Sequence, residues 1–170
     1  MISAHVNPVP GIRPFNSAIE YGLRILFLLE AAGQRGADVQ RLVAYDYLLV
    51  HSGDVDGGPS SLHPAVPFRG AEMLVKRDLI NAGLAQLLIR ELLEKTFDAT
   101  GIAYRSTPLT IEFSKLLKSD YAIALRKRSK WVVERFGEMA DTELLAFMAA
   151  NVGRWGAEFD RQTAIDNLEL

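Results

Sequence analysis

The stretch from Asp38 to Pro64, DVQRLVAYDYLLVHSGDVDGGPSSLHP, determines how the rest of the chain is interpreted. Its first half is a helical pattern with almost no polar face, and Asp46 stands in the middle of it. A helix that is apolar nearly all round must be covered by other protein. A buried Asp must find a partner or lose its charge. The stretch therefore suggests a surface built to be covered by another chain, and deep burial inside this chain is the alternative explanation.

Helical and strand-like periods follow one another in an order typical of a winged helix. Ser17 and Asp38 are predicted N-caps of two helices, at about residues 17–32 and 38–51, and Thr107, which Pro108 follows, is the predicted cap of a later helix. The pattern predicts further helices at about residues 70–92, 108–118, 120–136 and 142–157, and a hairpin at about 93–98 and 102–106. Two helices, a loop, a third helix and a hairpin wing make a winged helix. We expect a mainly α fold with a winged-helix-like core, one β-hairpin wing and additional C-terminal helices.

The chain divides into four predicted parts. They are an extended N-terminal arm at residues 1–15, a winged-helix-like core at 16–107 with a long loop at 53–69, a C-terminal helical extension at 108–159 and a tail at 160–170. Loops of that length are usually functional or mobile. Gly83 is a predicted weak point of the third helix, because Gly costs about 1 kcal/mol relative to Ala there. Asp141 is the predicted cap of the last helix.

Composition excludes several classes of protein. The 170 residues include no cysteine, which removes disulfides, zinc–thiolate sites, iron–sulfur clusters and thiol chemistry. No apolar run is long enough for a membrane span, and no signal peptide pattern opens the chain. The net charge of -2 gives no whole-molecule attraction to nucleic acid. We expect a cytoplasmic protein.

Asp46 is a carboxylate in an apolar helix, so the sequence must provide it with a partner. Its carboxylate either accepts N–H groups from the glycine-rich loop or pairs with Arg24 or Arg13, and both arrangements would be structural. The alternative is an ion pair across an interface, where loss of one partner costs on the order of 3–5 kcal/mol. The residues predicted to form this partner interface or loop anchor are Asp46, Tyr45, Tyr47, His51, Asp54 and His63.

A metal site was considered for the loop, since His51, Asp54, Asp56 and His63 carry suitable ligands. The segment GDVDGG lacks the ordered acidic positions of a calcium loop. A structural explanation is better, because His51 ends a helix and the Asp residues favour turns. Phosphate-loop and nucleophile-elbow motifs are also missing. The sequence therefore predicts no catalytic residue, no cofactor and no metal.

A basic segment runs from Lys115 to Arg135. On the fifth helix the side chains of Arg126, Lys127 and Lys130 are predicted to project away from a buried stripe. That stripe is Tyr121, Leu125, Val132 and Phe136. The face is either simply solvated or a contact for an acidic partner or for DNA backbone. Trp131 is predicted to pack in the core or to act as a partly exposed anchor.

Winged helices often bind DNA, so a DNA-binding transcriptional regulator is the main alternative function. The third helix carries Lys76, Arg77 and Arg90 against Glu72, Asp78 and Glu91, and the wing carries Lys95 and Arg105 against Glu94 and Asp98. These charges cancel on the surface that would face phosphates. A third possibility, a small metal-dependent nuclease-like effector, depends on the metal site considered above.

Five segments carry a resemblance to a known family. They are NPVPGIRPFNSAIEYGLRILFLLEAA (7–32), RLVAYDYLLVHSGDVDGGPSSLHPAVPFR (41–69), FDATGIAYRST (97–107), WVVERFG (131–137) and GRWGAEF (153–159). Together they resemble the middle component, second type, of bacterial ABC three-component conflict systems. The resemblance implies a winged-helix-like, non-enzymatic protein that bridges an SMC-like ABC ATPase and an effector in defence against phages or plasmids. It implies no catalytic residues.

Overall fold

The computed structural model describes residues 17–64, 69–98 and 101–166, without the side chains of 69–75, 98 and 156–166. The helices are α1 (Ala18–Ala32), α2 (Val39–Val50), α3 (Arg69–Ile89), α4 (Pro108–Ser114), α5 (Asp120–Phe136) and α6 (Asp141–Asp166), and the strands are β1 (Leu93–Asp98) and β2 (Gly101–Ser106). The mainly α class with an antiparallel hairpin is confirmed. The predicted arm at 1–15, which contains Arg13, lies outside the described residues.

Three helices begin at the caps that the sequence predicts. The Ser17 hydroxyl accepts a hydrogen bond from the N–H of Glu20 at 3.3 Å. The Asp38 carboxylate accepts one from the N–H of Arg41 at 2.7 Å. Thr107 caps α4, which has a proline in its first turn. Each cap satisfies an N–H group that has no partner inside its helix, which fixes where the helix starts.

The helix α2 lies in the centre of the molecule. It contacts α1, α3, α5 and α6, and every residue from Leu42 to Val50 is buried. The expectation that another chain covers this apolar surface is therefore wrong, because the helices of the same chain already cover it. Burying each large apolar side chain stabilises the fold by about 1.5–3 kcal/mol, and α1 and α2 together supply 14 of the 29 buried apolar residues among the described side chains.

The helices α1 and α3 cross at two glycines. A Cβ atom added at Gly83 would lie 2.7 Å from the backbone oxygen of Ala18 and 2.7 Å from the backbone nitrogen of Gly22. No side chain fits in that space, so the two helices pack backbone against backbone. The predicted weak point at Gly83 is instead the point of closest approach in the core, and the packing outweighs the low helix propensity of glycine.

The hairpin is attached to the helices by a third stretch of backbone. Strands β1 and β2 pair antiparallel, with Leu93 opposite Ser106. Ala37, between α1 and α2, exchanges two backbone hydrogen bonds with Tyr104 of β2, at 2.9 and 2.8 Å. Gly36 permits this approach, since its φ is +62° and an added Cβ would lie 2.5 Å from the oxygen of Tyr104. The winged-helix assignment stays a prediction.

The C-terminal helices differ from the sequence pattern at their ends. Helix α4 ends at Ser114, before the predicted residue 118, and three-residue turns at Leu116 and Leu117 follow it before Ser119 caps α5. Helix α6 runs to Asp166, past the predicted end near residue 157 and into the predicted tail. Asp141 is the first residue of α6 instead of its cap, and its carboxylate accepts a hydrogen bond from Arg41 at 2.7 Å.

Candidate functional site

Asp46 lies in an ion cluster that three helices build. Its Oδ1 atom lies 3.2 Å from Nε of Arg24 on α1, and its Oδ2 atom lies 3.5 Å from Nζ of Lys76 on α3. None of the three side chains is more than 1% exposed. Charges are costly to bury singly and attract each other strongly away from water. The ion cluster of Arg24, Asp46 and Lys76 therefore ties α1, α2 and α3 together.

The pairing of Asp46 with Arg24 is one of the two structural arrangements that the sequence suggested. The other is not found, since neither carboxylate oxygen of Asp46 accepts a hydrogen bond among the described residues. Lys76 was assigned to a would-be DNA-reading face, and sequence reasoning missed its place in the core. The signal was present, because Lys76 precedes the buried Ile80 and Leu84 by four and eight residues and so shares their face.

Arg24 keeps its charge inside the core. Burial opposes the charged form, but the nearby charge of Asp46, followed by that of Tyr21, outweighs burial and raises the pKa of Arg24. The guanidinium carbon also lies 4.0 Å from the centre of the Tyr21 ring, in cation–π geometry. Arg24 of the ion cluster thus contacts the face of an aromatic ring as well as an opposite charge.

The end of α2 is joined to the following loop and to α6. The Tyr47 hydroxyl donates a hydrogen bond to Asp54 at 2.8 Å. The Tyr47 ring stacks on Trp155, with centroids 5.4 Å apart and planes at 9°, and lies 5.0 Å from the ring of buried His51. Tyr47, His51 and Asp54 are therefore close together, and the centre of the Tyr47 ring lies 5.5 Å from Nζ of Lys76 in the ion cluster.

His63 lies at the far end of the loop, near the start of α5. Its Nε2 atom lies 2.8 Å from the hydroxyl of Tyr121 and 3.9 Å from a carboxylate oxygen of Glu20. Burial, followed by the charge of Arg24, lowers the pKa of His63. Burial raises the pKa of Tyr121 to about 12. Tyr121, predicted to lie on the buried stripe, is nevertheless 40% exposed because it covers the loop end.

Arg128 of α5 holds the loop in place. Its Nη1 atom donates to the backbone oxygens of Ser60 at 2.6 Å and Pro59 at 3.0 Å, and also to the hydroxyl of Ser52. Burial lowers the pKa of Arg128. Arg135, two turns further along α5, donates to the backbone oxygen of Asp56 at 3.3 Å. Sequence reasoning missed both contacts, because nothing in a basic run tells which guanidinium groups turn inward.

Tyr45 points to a different side of α2. Its hydroxyl accepts a hydrogen bond from Arg41 at 2.9 Å, and Arg41 also donates to the backbone oxygen of Met139 at 2.6 Å. Burial opposes the charge of Arg41, but hydrogen bonds to Tyr45 and Asp141 outweigh it and raise the pKa of Arg41. Arg41 and Tyr45 line a cleft of about 270 Å³ beside the hairpin residue Ile102. Tyr45 thus secures α2 against the α5–α6 turn.

The predicted basic face is only partly formed. Lys127 and Lys130 are exposed, but Arg126 turns inward, contrary to the prediction. Arg126 donates to the backbone oxygen of Ser114 at 2.6 Å and lies 5.2 Å from the ring of Phe27, because carbonyls at the end of a helix attract cations. Trp131 is half-buried and packs edge-on against a core phenylalanine.

The loop residues do not gather as a metal site. Within the described ranges, no three His, Asp or Glu side chains lie close enough together to hold a metal ion. Two of the candidate metal ligands are instead held by other side chains. Tyr47 donates to Asp54, and Tyr121 contacts His63.

A comparison with protein-family models identifies the family of this chain. A protein-family model described as ABC-three component (ABC-3C) system Middle Component 2 matches residues 14–158. The chain is a member of the Middle Component 2 family. The resemblance seen in the sequence is thereby confirmed. A search of the curated proteins and a search of the solved structures gave no match.

The matched range of this Middle Component 2 protein contains all the contacts described above. The ion cluster, the loop held by Arg128 and the hairpin bridge at Ala37 all lie between residues 14 and 158. In the part of the chain that the structure describes, no helix is long and apolar enough to cross a membrane.

Proposed function

We propose that this Middle Component 2 protein is a non-enzymatic adaptor that links an SMC-like ABC ATPase to an effector in a bacterial anti-phage or anti-plasmid system. The observation that carries the proposal is the family match over residues 14–158. The family description names the middle component of a three-component system. A protein in that position works by contacting the other components, here in the cytoplasm.

The contacts of the candidate site residues support this role. Asp46 is engaged by Arg24 and Lys76 inside the chain, and Tyr47 donates to Asp54. The ionisable groups that the sequence singled out are thus used to hold helices and loop together. Of the two roles considered for them, loop anchor and partner interface, we assign the first. The partner interfaces then lie on exposed surface elsewhere.

We also assign a winged-helix-like core to the chain from α1 to β2. The helices α1, α2 and α3 precede the hairpin in the order that a winged helix requires. The bridge between Ala37 and Tyr104 docks the hairpin on the segment between the first two helices. This attachment supports the description of β1 and β2 as a wing.

Cations on the third helix and wing are largely engaged within the chain, which argues against direct DNA binding. Lys76 belongs to the buried ion cluster. Arg90 donates to a backbone oxygen of its own helix at 2.8 Å, and Arg105 pairs with Glu94 at 2.6 Å. DNA binding requires such groups to be aimed at phosphates. We therefore favour the adaptor over the transcriptional regulator.

Co-expression of the tagged chain with the ATPase and the effector encoded beside it tests the proposal. We expect all three proteins to elute together in size-exclusion chromatography. Omission of the middle component should separate the ATPase from the effector, since the adaptor supplies the bridge. The proposal is overturned if the two partners stay associated without the chain, or if the chain elutes alone.

A further inference from the structure

Strand β1 has an outer edge whose backbone groups point away from the hairpin. Tyr104 of β2 uses its backbone N–H and C=O groups to bind Ala37, at 2.8 and 2.9 Å, and Lys95 lies opposite Tyr104. Opposed residues of an antiparallel pair either exchange both hydrogen bonds or exchange none. The N–H and C=O groups of Lys95 therefore face outward from β1, and so do those of Phe97, two residues further on. We name Lys95 and Phe97 the β1 outer edge.

The backbone groups of the β1 outer edge have the arrangement that a further strand requires. Outward N–H and C=O groups recur at every second residue, which places the two sets about 7 Å apart. Among the described residues, the sheet has two strands and no backbone hydrogen bond reaches Lys95 or Phe97 from outside it. Both residues are exposed. An exposed row of alternating donors and acceptors is a template for an extended chain.

The side chains at this edge indicate which strand fits. Side chains alternate between the two sides of a hairpin, so Lys95 and Phe97 share one side with Ile102, which lies opposite Phe97. Phe97 is 74% exposed and Ile102 is 48% exposed, which leaves an apolar pair open at the turn end. Glu94 is on the other side and pairs with Arg105 at 2.6 Å. Among the described side chains of the hairpin, Lys95 is thus the one charge on the side of Phe97.

Two other occupants fit this edge poorly. A phosphate backbone only accepts hydrogen bonds, so it would leave the outward C=O groups without partners. A second copy of this chain would pair antiparallel with β1 about a two-fold axis. The registers of longest overlap place either Lys95 opposite Lys95 or Glu94 opposite Asp98, and like charges directly opposite each other are destabilising. An extended segment of a different protein avoids both problems.

We propose that the β1 outer edge docks an extended segment of a partner protein, which adds a strand to the hairpin. In that segment an acidic residue lies opposite Lys95, and an apolar residue two positions away lies opposite Phe97. Main-chain hydrogen bonds give this mode of docking its affinity, and the alternate side chains give it specificity. The inference rests on the proposed adaptor function, since it names the element that meets one of the other components.

The first test uses the full chain co-expressed with the ATPase and the effector. Lys95→Pro removes an outward N–H group and spares the bonds between β1 and β2, since proline is tolerated where an edge N–H faces solvent. We expect this variant, and separately Phe97→Asp, to weaken capture of one and the same component by about tenfold or more. Leu116→Asp is the matched control, because Leu116 is 73% exposed, and it should capture both components normally.

The second test measures amide hydrogen exchange in the wild-type chain. In the isolated chain the amides of Lys95 and Phe97 should exchange fast, whereas the amide of Thr96, which faces β2, should exchange slowly. In the complex with both components, all three amides should exchange slowly. This measurement decides the question if Lys95→Pro or Phe97→Asp fails to fold.

The outcomes separate this inference from the adaptor proposal. If the wild-type chain captures neither component, the adaptor proposal fails and the docking inference fails with it. Equal capture by the wild type and by both edge variants, folded by circular dichroism, overturns the docking inference alone. Slow exchange of Lys95 and Phe97 in the isolated chain also overturns it, because this chain or a second copy would then cover the edge. Duplex DNA binding that Lys95→Pro abolishes without loss of either component would assign the edge to nucleic acid instead.

Discussion

The Nε atom of Arg24 lies 3.2 Å from Oδ1 of Asp46, and neither side chain is more than 1% exposed. This pair of opposite charges joins α1 to α2, two strongly apolar helices. A buried ion pair is poor evidence for net stability, because desolvation offsets much of the attraction. It does favour one rotation of the helices against each other, since another rotation would leave the charge of Arg24 buried without its partner.

Replacing Asp46 with Asn should lower the free energy of unfolding by about 3–5 kcal/mol. The neutral amide leaves the charges of Arg24 and Lys76 buried without this carboxylate. Urea denaturation followed by circular dichroism measures the loss.

The control for this substitution is Asp54→Asn. Asp54 is only partly buried, and the amide oxygen of Asn can still accept from Tyr47, so the expected loss is about 1 kcal/mol or less. Equal losses for the two variants would contradict the role assigned to the ion cluster.

Gly83→Ala should destabilise the chain by about 1–3 kcal/mol, although Ala is the better helix former. The added methyl group would meet the backbone of α1. Gly153→Ala in α6 is the matched control, because nothing lies within 4 Å of the added Cβ. It should be neutral or stabilising by up to about 1 kcal/mol. Thermal unfolding of both variants tests the crossing, and a stabilised Gly83→Ala protein would refute it.

Arg128→Lys should loosen the loop without unfolding the chain. The side chain of Lys is shorter than that of Arg and lacks the planar guanidinium, so its ammonium group does not take the place of Nη1, which contacts Pro59, Ser60 and Ser52. Amide hydrogen exchange of residues 53–61 should become faster, while exchange in α2 stays slow. Lys127→Arg changes the neighbouring exposed cation and should leave the loop amides unaffected. Unchanged exchange in the Arg128 variant would show that other contacts hold the loop.

Acidification should destabilise the chain through His63. Its pKa is lowered in the folded state, so the unfolded chain binds the proton more readily, and stability falls as the pH drops below about 6.5. The groups that face or act on His63 are Glu20, Arg24, Asp46, His51, Lys76 and Tyr121. Urea midpoints at about pH 7.5 and pH 5.5 should differ less for His63→Gln than for the wild type. An equal difference would assign the pH dependence to other groups.

Local chemistry made several elements predictable from the sequence. Ser17, Asp38 and Thr107 satisfy helix N–H groups within three residues of themselves, so their caps need no knowledge of the fold. The hairpin was also predictable locally, because the spacing of apolar residues changes there from a helical to a strand pattern. The family resemblance came from long segments, and the family model matches residues 14–158.

What the sequence did not reveal depends on contacts between distant segments. Lys76 reaches Asp46 only because α3 packs on α2, and Gly83 is explained only by Gly22 on another helix. Arg126 and Arg128 resemble Lys127 in a helical pattern, yet their long side chains curl back toward carbonyls whose positions the pattern does not give. The excess of apolar residues on α2 indicated that other protein covers this helix, but not whether the same chain or another chain does so.

Arg128 and Lys127 are adjacent residues of one rigid helix, but Arg128 grips the loop carbonyls while Lys127 faces solvent. Any roll of α5 about its own axis moves both at once. A force on the outside of the helix would therefore reach the glycine-rich loop through Arg128, and it would also have to move the buried side chains of Leu125 and Val132.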